Sequence, residues 1–226
     1  MDSSAQIITD LGNKIGPYQP LDFLSYWKGV PVMITGHIQE VHDESIVFRL
    51  EPPDSICFAQ DEHALILHDV FIMGIQGRIL AFDPQNSIAE LGELIYVDRG
   101  FGDRSIVRVE PEGPIPAELF LDDTSLSCQV VDISLTGFGL LAKPVKNLKA
   151  VKGKSTNIKL SLMDREIEIP GTIVGIFPKA DSVRLAMSFS QDAPNHAVVA
   201  RYITQRRAEI RQEIQTAYQQ AVGNQN

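Results

Sequence analysis

The sequence predicts an all-β protein with flanking helices, arranged as two consecutive small antiparallel β-barrels. Three observations carry this. Short runs rich in β-branched and aromatic residues fill residues 30–97 and resume after about residue 115, punctuated by Pro, Gly, Asp and Asn without long helices between them. The stretch DRGFGDRSIVR, over 98–108, interrupts the runs with glycines and arginines. Helical spacing of apolar residues is confined to the two ends of the chain. The predicted division is a first barrel over 1–97, a basic hinge over 98–108, and a second barrel with a C-terminal helix over 109–226.

Each element has its own signal. Ile7, Ile8, Leu11 and Ile15 recur at helical spacing in residues 5–15 and predict a short amphipathic helix. The runs VPVMITGHIQEV, SIVFRLEP, ALILHDVFIMGI, QGRILAFD and ELIYVD predict the strands of the first barrel, with Trp27 as its core anchor. PAELFL, LSCQVVDISL, GFGLLA, TNIKLSLM, REIEIPGTIVGIF and VRLAMSFS predict those of the second. From about Asn195 no Gly or Pro intervenes for more than twenty residues. Ile203, Ile210, Ile214, Ala217 and Ala221 form a helical stripe that packs on a barrel or pairs with a second copy as a homodimer.

Composition narrows the function. At 226 residues the chain is long for one domain and comfortable for two, and 44% apolar residues suffice for real cores. No apolar run is long enough to cross a bilayer. The opening MDSSAQIITD lacks a basic region followed by an apolar stretch, so a cytoplasmic location is expected. Cys57 and Cys128 fall in apparent strands of opposite halves, and read as buried hydrophobes or free thiols rather than a disulfide. His63 and His68 bracket ALIL and face opposite sides of a strand, so no metal is expected there.

The net charge of −9 is unevenly spread. Residues 1–103 hold 5 Lys and Arg against 16 Asp and Glu, whereas 104–226 hold 15 against 13. The first half repels a polyanion and the second holds one only weakly, so nucleic acid is not an expected partner. A small anionic ligand belongs in the second half.

There the chemistry concentrates. Arg104 and Arg108 form an RxxxR pair; Asp132, Ser134 and Gly137 form D-x-S-x-x-G within VVDISLTGFGLL. Side chains alternate along a strand, so Asp132 and Ser134 share a face while Val131, Ile133 and Leu135 take the other, toward the core. Gly137, at the following turn, permits an unusual φ and close approach of a ligand. An arginine fork pairs with guanine O6 and N7 or with phosphate, and its flat face stacks on a purine. A carboxylate accepts from guanine N–H groups. The set suits an anionic dinucleotide carrying guanines. Ser134 has no histidine nearby in sequence to serve as its base, so an enzyme is not expected.

With these motifs in order, about residues 99–205 resemble the PilZ family, and the whole chain more loosely resembles the two-barrel flagellar-brake proteins (YcgR-like), in which a split barrel precedes PilZ. The resemblance implies that the ligand is cyclic di-GMP and that there is no other cofactor. Arg104 and Arg108 would grip guanine and phosphate, Asp132 would read a guanine edge, and Ser134 and Gly137 would line base or phosphate. Arg99, just upstream, is an accessory cation or a partner for Asp98 or Asp103. Asp103, beside the pair, bears on how many ligands stack there. The implied output is a protein effector, such as the flagellar motor or an exopolysaccharide or pilus machine. Ligand would clamp the hinge onto the barrel and reorient the domains. Two alternatives stand beside this: a PilZ-like adaptor acting by protein contacts alone, and a split-barrel flavin enzyme. The acidity of residues 1–97 and their lack of a phosphate-cradling glycine disfavour the latter.

Overall fold

The computed structural model describes residues 3–98, 107–121, 124–144 and 152–223. The chain forms two compact units, Met1–Arg104 with Ile210–Asn226, and Ser105–Glu209. Among the described residues, no helix is long and apolar enough to cross a membrane.

The first unit opens with α1 (Ser4–Lys14), capped by Ser3, whose side chain accepts from the Gln6 amide at 3.3 Å. Ile7, Ile8 and Leu11 are its buried face, as their spacing requires. Six strands follow and close on one another: β1 (Leu21–Trp27), β2 (Val30–Val41), β3 (Ser45–Leu50), β4 (His63–Leu67), β5 (Gly74–Asp83) and β6 (Ile88–Val97), in the order β1-β2-β3-β6-β5-β4 with β4 back on β1. Every pairing is antiparallel. Phe23, Phe48 and Phe58 meet at the centre, with Phe23 edge-on to both partners at 5.0 and 5.8 Å. Ser4 accepts the Leu94 amide at 2.8 Å and fixes α1 against β6.

Three sequence expectations shift here. ALILHDVFIMGI is not one strand: it divides into β4, a loop, and the start of β5, because His68 to Met73 leave the sheet. LDFLSYW, read only for its tryptophan, is β1. Leu21, Phe23, Ser25 and Trp27 alternate inward along it, and Trp27 is buried in the core as expected. Cys57 sits in a 3-10 turn, Asp54–Ala59, rather than in a strand.

The second unit has β7 (Arg108–Val109), β8 (Ile115–Leu121), β9 (Thr124–Ser134), β10 (Gly137–Ala142), β11 (Ser155–Leu162), β12 (Arg165–Pro178) and β13 (Val183–Ser188). The sheet runs β10-β13-β12-β11-β8-β9-β7, and β10 pairs back on β9. That pairing closes six strands into a barrel. The short β7 continues the edge of β9 beyond β8, with Arg108 opposite Ser134. Val130, Ile133, Leu140, Ile158, Ile169 and Leu185 are among the side chains that fill the barrel. The two barrels and the helix make the chain mostly β, as the patterning requires.

The closing helix α2 runs from His196 to Gly223. Its residues up to Glu209 group with the second unit and those from Ile210 with the first. In the second unit, the buried Arg206 donates through Nε to the Glu110 carbonyl at 2.9 Å and steadies the chain after β7. In the first, Lys28 pairs with Glu213 at 2.6 Å and Arg211 with Asp54 at 3.1 Å. Val199, Ile203, Ile210 and Ile214 are all buried within the chain. Most of the stripe is therefore covered by the protein itself, and Ala217 and Ala221 are half-buried.

Candidate ligand site on the second barrel

Asp132 stands on the outer wall of the second barrel because β9 carries a bulge. Gly139 pairs with Asp132 but Leu140 pairs with Val130, leaving Val131 as the extra residue. Val130 and Ile133 point inward and are fully buried, while Asp132 and Ser134 share the opposite face. The sequence expectation is corrected at two positions. Val131, placed in the core by simple alternation, is half-buried at the bulge, and Leu135 is 37% exposed in the turn after the strand.

The Asp132 carboxylate is covered by two guanidiniums. Arg108 Nη1 lies 3.4 Å from Oδ1, and Arg184 Nη2 donates to Oδ2. The Asp132 side chain is 8% exposed, whereas those of Arg108 and Arg184 are 44% and 42% exposed. Each arginine spends part of its fork on the carboxylate and keeps donors toward solvent. Two cations against one anion leave a positive surplus on this wall. That surplus suits an anionic ligand with planar acceptors.

The glycines make room for this arrangement. A Cβ on Gly139 would lie 1.8 Å from Asp132 Oδ2, so the carboxylate occupies the space that a side chain would take. On Gly137 a Cβ would lie 2.5 Å from the Met187 carbonyl of the neighbouring strand. Gly137 is therefore required by the close passage of β13. It is not among the described glycines of positive φ, so the unusual backbone angle expected of it is absent. Ser134 braces the same turn: its Oγ donates to the Gly137 carbonyl at 3.1 Å and accepts from the Thr136 amide at 3.4 Å. His196 Nε2 meets the Leu135 carbonyl at 2.8 Å, and the Phe189 amide donates to Thr136 O at 2.9 Å.

Of the residues singled out in the sequence, Arg108, Asp132, Ser134 and Gly137 thus gather around one end of β9. Arg99, Asp103 and Arg104 lie outside the described residues. Arg108 is in a paired strand rather than in a free hinge. Arg184 and Gly139 escaped the sequence reading. Alternation along VRLAMS, with Val183, Leu185 and Met187 inward, already set Arg184 on the outer face, but nothing in the sequence linked it to Asp132. A separate hollow of about 640 Å³ is lined by residues including Phe120, Ser155, Asn157, Thr172, Ser190 and Asp192. None of its lining residues is a lysine or arginine, so the Asp132 wall is the better match for an anion.

Residues 103–205 match the PilZ domain family. The chain carries a PilZ domain. The match covers Arg104, Arg108, Asp132, Ser134, Gly137 and Arg184 alike. None of the curated proteins matches the sequence. Among solved structures, the chain is similar to YcgR from Escherichia coli in complex with c-di-GMP, at 18% identity over 92% of this chain and 90% of that one, with a TM-score of 0.43. MrkH of K. pneumonia in its c-di-GMP complex gives 12% identity over 93% and 94%, with a TM-score of 0.45. The Bacillus subtilis inhibitor of motility, MotI/DgrA, gives 12% over 86% and 98%, with a TM-score of 0.41.

Proposed function

We propose that this PilZ protein is a cyclic di-GMP receptor that relays ligand occupancy to a protein partner and performs no chemistry itself. The observation that carries the reading is the Asp132 carboxylate held on the barrel wall beside the exposed Arg108 guanidinium, within a matched PilZ domain. Arg104 would join Arg108 in gripping guanine and phosphate. Ser134 and Gly137 would shape the turn beneath the ligand. Asp132 would offer a guanine edge its remaining acceptor capacity, since a carboxylate has about four lone-pair sites.

Arg104 precedes β7 by only a few residues and Arg108 is anchored in it. Binding would therefore draw the 98–107 segment toward the barrel and shift the populations of interdomain arrangements. The output would be motility, exopolysaccharide or pilus control through a protein contact. The receptor is expected to work in the cytoplasm.

The test is isothermal titration of the purified protein with cyclic di-GMP, with GTP as control. Binding at micromolar concentration or tighter, specific to the cyclic dinucleotide, supports the receptor. Absence of heat and of competition at any concentration would refute it and leave an adaptor that works by protein contacts.

A further inference from the structure

Arg184 belongs to neither RxxxR nor D-x-S-x-x-G, yet it contacts Asp132 more closely than Arg108 does. It projects from β13 on the outer face, one strand beyond β10. Its cross-strand neighbours are Leu141 on one side and Phe177 on the other. Both are apolar, so Asp132 is its ion-pair partner among the described residues. Nearly half of its side chain faces solvent.

We propose that Arg184 is a ligand-contacting residue of this site, acting with Arg108 to hold a phosphate of the bound cyclic dinucleotide. The inference rests on the receptor reading above. Three physical points support it. A guanidinium has five N–H donors, and the one contact to Oδ2 leaves the rest of the fork available. Asp132 has one negative charge, and Arg108 already claims its other oxygen, so it does not neutralise both arginines. The buried carboxylate fixes the two guanidiniums on either side of itself, which removes part of the entropy cost that two free arginine side chains would incur on binding. The site therefore has a cation on β13 as well as on β7, and the ligand is held from both sides of Asp132.

The inference is tested by titrating cyclic di-GMP into Arg184→Ala, Arg184→Lys and Arg108→Ala variants over a series of salt concentrations, with thermal melts of each. Direct contact predicts that Arg184→Ala weakens binding about tenfold or more and makes its salt dependence shallower. Arg184→Lys keeps a cation on Asp132 but lacks the planar fork, so it should melt near the parent and recover only part of the affinity. This variant remains decisive if Arg184→Ala fails to fold. Parental or tighter binding by a folded Arg184 variant would overturn the inference, the tighter case showing that Arg184 competes with ligand for Asp132. Weaker binding by a folded Arg184→Ala with an unchanged salt dependence would overturn it too, reducing Arg184 to a positioning residue. If Arg108→Ala loses binding while both Arg184 variants bind like the parent, this inference alone falls. If the parent protein does not bind, the receptor reading falls with it.

Discussion

Removing a carboxylate from water costs several kcal/mol unless it is paired, and Asp132 is paired on both oxygens. Its neighbours follow from that. Arg108→Ala is expected to abolish cyclic di-GMP binding and leave the fold intact, because Arg184 still covers the carboxylate; titration and a circular-dichroism melt check both halves of that statement. Asp132→Ala is expected to abolish binding as well. Gly139→Ala tests the packing. The new methyl would fall on the carboxylate, forcing Asp132 off its arginines, so both melting temperature and ligand affinity should drop. The thiols are set by burial in the same way. Burial first, then Asp54 and Asp61, push Cys57 up to about 12, and burial pushes Cys128 up to about 11, from an ordinary 9.0. Both should resist alkylation in the native protein at pH 8 and react once it is unfolded. The folded chain keeps these protons where the unfolded chain releases them. Stability should thus fall as pH rises from about 9 toward 11 and 12, which alkaline denaturant titrations would detect.

β9 owes its use to a single extra residue. Val130 faces inward before the bulge and Ile133 faces inward after it, so the bulge reverses the alternation between them. Deleting Val131 would join Val130 directly to Asp132 and leave a regular ladder, with Val130 still opposite Leu140 and Asp132 still opposite Gly139, so both keep their faces and only the local bend of the bulge is lost. The expected result is a second barrel that keeps its cooperative transition in a thermal melt, with the loss of the bend read as weaker cyclic di-GMP binding by titration. α1 offers a simpler case. Leu11 is completely buried in the first unit, and Leu11→Ala should cost about 2–5 kcal/mol in a urea titration. α2 supports the site indirectly. Arg206 holds the Glu110 carbonyl two residues after Arg108, so loosening that contact should blur the position of β7.

For the whole molecule, the charge imbalance matters more than the net value. A first half with a surplus of 11 negative charges steers anions away, and the arginines beside Asp132 provide a local exception in the second. The clamp reading makes a prediction at this scale. Cyclic di-GMP should slow amide exchange across residues 98–108, measured by mass spectrometry, while the barrel strands change little. Unchanged exchange there, with binding intact, would sink the clamp and keep the receptor.

Much of this was legible in the sequence because it rests on local rules. Two sets of alternating strands, a helix at either end and the grouping of Asp132, Ser134 and Gly137 follow from side-chain periods and turn chemistry, which depend on near neighbours. The resemblance to PilZ came from the same short motifs. Where the reading went astray, the missing information was pairing. The bulge at Val131 exists only because β10 fixes the register of β9, and Gly137 needs its small side chain only because β13 passes beside it. LDFLSYW became β1 by closing a barrel with β4, and Cys57 left the sheet in a turn between strands. Arg184 lies 52 residues from Asp132 along the chain and reaches it across β10, a contact that no local period encodes. Local patterning alone marks most of the strands and the residue types that could hold an anion. Which of those residues share a wall depends on register and barrel closure, and long-range packing sets both.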